Sequence, residues 1–182
     1  MSSPFSQLNR LLDEYSSNHQ DQIAFKDRIQ SYAQSEQICS STHFSPGHIT
    51  VSAVVLSPDR SHIALIFHPF LQLWLQPGGH VDSTDSSLIQ ACLREIKEEV
   101  QIDSPVLLHE GIFDLDIHEI PANTRKNHPS HLHLDCRFLF GAPTWDIQAG
   151  TEIKEAQWFS IHDLDSIHTD NSVRRLIQKI AL

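Results

Sequence analysis

Glu95, Glu98 and Glu99 stand at i, i+3 and i+4 within the run ArgGluIleLysGluGlu, preceded by Arg94. Residues with that spacing are neighbours on one side of an α-helix, so the three carboxylates cluster within about a third of its circumference. Three like charges this close destabilise a bare helix by a few tenths of a kcal/mol per pair. A bound hard cation reverses the sign, because Mg²⁺ takes carboxylate oxygens and keeps waters that leave room for phosphate oxygens. The bland reading, a solvated helix face partly paired with Lys or Arg, is the common one for such a charge run. Pro77-Gly78-Gly79 shortly before the helix shifts the balance. A strand, a glycine turn that permits close backbone approach, and a helix with three grouped glutamates would bring a backbone carbonyl and carboxylates together.

The elements that position these residues are readable from periodicity. A helix is expected over Asp85–Val100, where Ile89, Cys92, Leu93, Ile96 and Val100 form an apolar stripe at about 100° per residue. Around it, HisIleThrValSerAlaValValLeu from His48 and HisIleAlaLeuIlePheHis from His62 read as a hairpin, and the stretch around Trp74 as a short third strand. A strand-like run from Val106 to Ile120, a polar loop, a strand from His131, a strand through Trp158 and a C-terminal helix capped by Asp170 or Asn171 complete the pattern. Strands mixed with helices, without β-α alternation, point to an α/β chain of the α+β kind with a mixed sheet covered by helices. Residues 1–45 read instead as a polar helical extension, with Phe5, Leu8, Leu11, Leu12 and Tyr15 at helical spacing and a second helix over Gln20–Gln34.

The chain has 182 residues and a formal net charge of −10. That length fits one domain with a small extension. The charge disfavours nonspecific binding to nucleic acid or an anionic membrane. No stretch approaches the ~18 apolar residues of a membrane span, and no signal peptide is evident. Cys39, Cys92 and Cys136 are few, odd in number and far apart, so neither a disulfide framework nor a zinc knuckle is supported, and a reduced, cytoplasmic setting is the default.

The segment from Gly79 through Asp85 and ArgGluIleLysGluGlu to Val100-Gln101-Ile102 resembles the Nudix box, the signature of the Nudix hydrolases. The resemblance covers residues 46–182 and is specific in its Gly, Arg-Glu and Glu-Glu elements. There are three departures. Asp85 stands where the box has Glu. The gap from Asp85 to Arg94 is one residue longer. Gln101 replaces the Gly that ends the helix, which would cost about 1 kcal/mol if a left-handed cap is kept.

The resemblance implies a Nudix-type α/β/α sandwich over 46–182 and a metal-dependent pyrophosphohydrolase. Its substrate would be a small molecule, a nucleoside diphosphate linked to a moiety X, cleaved by water attack on phosphorus. It implies Mg²⁺ or Mn²⁺ held by Glu95, Glu98 and Glu99 with the Gly79 carbonyl. Arg94 would pair with Asp85 and orient the glutamates. Glu152, ahead of the Trp158 strand, is the candidate general base or extra ligand.

Further candidates come from the residues themselves. On a strand, His131, His133, Asp135 and Arg137 share one face. That face could line the substrate pocket, lie as ordinary exposed sheet, or hold a separate metal, for which His-x-His is a weak signal. Arg125 and Lys126, in a long basic loop of an acidic chain, are candidates for phosphate or base binding. Trp74 could stack on a base or serve as core. Two other functions stand beside hydrolysis: a Nudix-like ligand sensor without chemistry, and an isomerase of the isopentenyl diphosphate type, which would need a catalytic cysteine. The extension could make a homodimer or cover the pocket.

Overall fold

The computed structural model describes residues 3–181. The α+β expectation holds: among the described residues, four α-helices accompany one mixed sheet. The strands are β1 (Gly47–Leu56), β2 (His62–His68), β3 (Leu73–Leu75), β4 (Gly78–His80), β5 (Val106–Leu107), β6 (Asp114–Ile120), β7 (His131–Gly141) and β8 (Ala156–Ser160). The helices are α1 (Pro4–Glu14), α2 (Gln20–Tyr32), α3 (Leu88–Val100) and α4 (Asn171–Ile180). The strand order is β3-β2-β1-β7-β5, with β4 on β1, β6 on β7 and β8 on β2. The chain divides into two compact units: one holds the residues up to Val51 with Gly79–Ala91 and Gly111–Arg137, the other Ser52–Gly78, Cys92–Glu110 and the residues from Phe138 on.

In the first unit, α1 starts where Ser3 Oγ accepts from the Ser6 N–H at 3.2 Å and Pro4 takes the first turn, where its missing N–H costs nothing. Leu8, Leu11 and Leu12 are fully buried, as their spacing predicts. Helix α2 packs on β6. Its Gln22 side chain donates Nε2–H to the Leu115 carbonyl and accepts the Leu115 N–H through Oε1, both at 2.9 Å. One amide thus supplies both hydrogen bonds that a neighbouring strand would have made, which leaves this buried backbone satisfied. Strand β7 pairs antiparallel with β6 in a register that sets Asp114 opposite Arg137, Asp116 opposite Asp135 and His118 opposite His133.

In the second unit, β2 carries β8 on one edge and β3 on the other. Trp74 is half-buried, its ring edge-on to Phe67 and Phe159 with centroids 5.5 and 4.8 Å away. Helix α4 is capped by Asp170, whose side chain accepts from the Val173 N–H at 2.9 Å.

Three local expectations are corrected. The strand-like run from Val106 to Ile120 divides into β5 and β6. Helix α3 begins at Leu88, not Asp85, because Asp82 and Asp85 close a turn on each other: the Asp85 N–H donates to the Asp82 carbonyl at 3.0 Å and Asp85 Oδ2 accepts the Asp82 N–H at 2.8 Å. Ser87 then caps the helix, its Oγ accepting from Gln90 N–H at 3.1 Å. Gly78 and Gly79 form strand β4, not a turn, and no glycine among the described residues has a positive φ.

Candidate active site

Helix α3 buries Leu88, Ala91, Cys92, Ile96 and Val100 completely. The stripe is rotated from the expected one, with Leu88 and Ala91 in place of Ile89 and Leu93. That rotation draws Glu95 inward to 8 % exposure. Glu98 stays exposed, and Glu99 is intermediate. The three glutamates therefore share a side of the helix but sit at three depths.

Each carboxylate has a different environment. Arg94 Nη1 donates to Glu95 Oε1 at 2.8 Å and to Glu98 Oε2 at 3.1 Å, so one guanidinium holds two of the three. Glu99 Oε2 accepts the Gly78 N–H at 2.8 Å. The expected ligand Gly79 lies one residue further along β4. Burial pushes the Glu99 carboxyl up to about 7; the Gly78 N–H works against that, and the charges of Glu95, Glu98 and Glu152 push it further up. Glu152 is exposed, yet its charge reaches Glu99. Burial disfavours the charged form of Glu99, and three neighbouring carboxylates add to it. The donor set, all hard oxygens with one cationic orienter, fits a hard divalent cation.

The loop that brings Glu152 near is tied to the end of α3. Gln148 N–H donates to the Val100 carbonyl at 3.1 Å and Gly150 N–H to the Glu99 carbonyl at 2.9 Å. These amides satisfy the last-turn carbonyls that a helix leaves unpaired. Gln101 has φ 55°, the left-handed geometry in which Gly is the usual residue. Its side-chain Nε2 donates to the Ala149 carbonyl at 3.1 Å, a bond glycine could not make.

The strand residues of β7 are buried more deeply than an exposed polar face would be. Arg137 is 1 % and Asp135 2 % exposed. Arg137 Nε donates to Asp135 Oδ2 at 2.8 Å, and its Nη atoms lie 3.4 Å from Asp114 and Asp116. Thr50 Oγ1 donates to the other oxygen of Asp135 at 3.1 Å. His133 lies with His48 and His80, and His131 donates Nδ1–H to the Pro129 carbonyl at 2.8 Å. Arg125 and Lys126 are exposed in their loop, where both N–H groups donate to Asn123 Oδ1. Sequence reasoning missed His48, His80, His118, Asp114 and Asp116. Nothing local to them carries a signal: Asp114, Asp116 and His118 are placed by the pairing of β6 with β7, and His48 and His80 meet His133 from β1 and β4.

None of the three thiols suits isomerase chemistry. Cys92 and Cys136 are fully buried. Burial, with Glu36 nearby, pushes the Cys39 thiol up to about 11, and burial raises Cys136 as well.

The NUDIX domain family model matches residues 46–179, so the chain belongs to the Nudix family. A curated relative, the probable DHNTP pyrophosphohydrolase of Lactococcus lactis subsp. cremoris, is 33 % identical over 91 residues, 50 % of this chain. The match spans about half of that relative's length, 52 %. Among solved structures, the E. coli dihydroneopterin triphosphate pyrophosphohydrolase has a TM-score of 0.56 at 19 % identity, covering 72 % of this chain and 92 % of its own. A MutT protein from Methanosarcina mazei Go1 also has a TM-score of 0.56, at 20 % identity, covering 73 % and 91 %. These two establish the fold. Among the described residues, no helix is long and apolar enough to cross a membrane.

Proposed function

We propose that this chain is a metal-dependent pyrophosphohydrolase acting on a small phosphoanhydride, a nucleoside diphosphate derivative or a chemically similar triphosphate, with Mg²⁺ or Mn²⁺ as cofactor. The observation that carries the reading is the Glu95, Glu98, Glu99 set, with Glu99 raised to about 7 and hydrogen-bonded to Gly78. Family membership supports it, and so does the name of the Lactococcus relative.

Glu95, Glu98 and Glu99 would hold the cation. When bound, the cation neutralises phosphate charge and makes a water more acidic. Arg94 keeps Glu95 and Glu98 in place. Glu152 takes the proton of the attacking water, carried to the site by the loop anchored on the end of α3. Trp74, in the same unit as the glutamates, is a proposed substrate contact. Asp135 and Arg137 hold β7 in place in the other unit. The division into a 1–45 extension and a 46–182 domain is part of the same reading, supported by a family match that begins at residue 46.

The test is a phosphate- and pyrophosphate-release screen of the purified chain with Mg²⁺ and then Mn²⁺. The panel holds nucleoside diphosphate conjugates, nucleoside triphosphates, dinucleoside polyphosphates and a pterin triphosphate. Turnover by wild type, abolished in Glu98→Gln with the fold intact, is the expected result. Full turnover by Glu98→Gln at saturating Mg²⁺ would remove the glutamate cluster from the reaction. Ligand binding without turnover would make the chain a sensor.

A further inference from the structure

In the first unit, strands β1, β4 and β7 contribute His48, His80 and His133. One ligand atom from each lies within 4.8 Å of the other two. The ring centroids form a nearly regular triangle: 4.9 Å from His48 to His80, 4.9 Å from His48 to His133 and 5.2 Å from His80 to His133.

The tautomer of His48 follows from its partner. The Nδ1 atom is 3.0 Å from the His43 carbonyl, which can only accept, so Nδ1 carries the proton and Nε2 the lone pair. His48 is fully buried, and Nε2 has no hydrogen-bond partner. A buried acceptor without a donor is rare in folded proteins and calls for an explanation. All three imidazoles titrate below their ordinary value, which keeps them in the neutral, ligating form at neutral pH. Burial is the first cause in each: His48 falls to about 4 and His133 to about 2, and His80 also falls.

We propose that His48, His80 and His133 form a binding site for a borderline divalent transition ion, with Zn²⁺ the best fit. Three imidazole ligands with a fourth position left to water or to a donor atom of a ligand is a recurrent zinc arrangement. The His43 carbonyl fixes the orientation of His48, as second-layer partners of ligating histidines do. Nitrogen-only ligation does not suit Mg²⁺, which selects oxygen. Zinc–nitrogen bonds of ~2.0–2.1 Å place tetrahedral ligand atoms ~3.4 Å apart. The triangle therefore closes by at most about 1.4 Å from the 4.8 Å bound, a shift open to His80 on the solvent side of β4. At the rim, His118 is hydrogen-bonded through Nδ1 to Asp116 Oδ2 at 3.2 Å, and its ring lies 5.4 Å from that of His133. The site shares no residue with the glutamates of α3.

The test uses the full chain, stripped with a chelator. Zn²⁺ is titrated against a chromogenic chelator of micromolar affinity, and Co²⁺ is added to a second sample for its visible spectrum. Parallel titrations use His80→Asn, His133→Asn and a Glu98→Gln/Glu99→Gln double variant. We expect one Zn²⁺ per chain, held against the chelator, and the intense d–d absorption of four-coordinate Co²⁺. Both should persist in the glutamate variant, while either histidine variant weakens Zn²⁺ by at least ~10-fold. His80 borders solvent, so His80→Asn decides the matter even if His133→Asn does not fold. Loss of all Zn²⁺ to the chelator by wild type would overturn the site. So would Zn²⁺ that survives in His80→Asn and disappears in the glutamate variant.

Discussion

The Gly78 N–H donates to Glu99 Oε2 at 2.8 Å, and this bond joins strand β4 to a glutamate that burial drives toward neutrality. With its carboxyl pushed up to about 7, Glu99 in the metal-free chain holds on to its proton well above the ordinary carboxylate range. A cation that takes this oxygen must displace the proton. Mn²⁺ binding at about pH 6.5 should therefore release a fraction of a proton, seen in calorimetric titrations run in two buffers of different ionisation enthalpy. Glu99→Gln should abolish the difference between buffers; a release unchanged in that variant would assign the proton elsewhere. The sign for stability follows from the same shift. With a folded pKa of about 7 against an ordinary 4.5, the folded state binds more protons between those values. Stability of the metal-free chain from this group is thus present at low pH and lost as pH rises through that window.

Gln101 occupies left-handed backbone, φ 55°. Gln101→Gly relieves strain of about 1 kcal/mol but removes the bond from Nε2 to the Ala149 carbonyl. The two effects nearly cancel. Urea unfolding should place the variant within about 1 kcal/mol of wild type, and turnover should stay within a few-fold. A large loss of turnover would mean that the side-chain bond itself sets the loop carrying Glu152.

Gly150 is far less forgiving. A Cβ there would lie 1.7 Å from the Glu98 carbonyl oxygen, a backbone atom at the end of α3. Gly150→Ala must push the loop away and break the bond from its N–H to Glu99. A loss of about 1–3 kcal/mol in unfolding free energy is expected, with a fall in turnover larger than that of Gln101→Gly. Wild-type kinetics in this variant would show that the position of Glu152 does not matter to the reaction.

Arg137 faces Asp114, Asp116 and Asp135 with its side chain 1 % exposed. Arg137→Met leaves those carboxylates in low dielectric without their cation, at a cost of about 3–5 kcal/mol. Arg137→Lys recovers only part, since an ammonium cannot fork to three partners. Chemical denaturation of the three proteins ranks them; equal midpoints would mean the network carries no net stability.

The sequence by itself determined the glutamate cluster. The i, i+3, i+4 spacing of Glu95, Glu98 and Glu99 is a property of any α-helix, and the buried Cys92, Ile96 and Val100 show that one forms there. The Nudix resemblance and the left-handed backbone at Gln101 were legible for the same reason: both depend on residues close in the chain. Tertiary structure decided the rest. How deeply each glutamate sits, with Glu95 buried and Glu99 half-buried, was set by the rotation of α3 about its axis, and periodicity does not resolve a rotation that small. The alternation of β7 was readable, but not that its polar face would be sealed, because Asp114 and Asp116 reach Arg137 only through pairing with β6. His48, His80 and His133 looked scattered along the chain and meet only because three strands converge. Such contacts depend on closing long loops, whose free energy is recovered through burial across the whole sheet rather than through any local pattern.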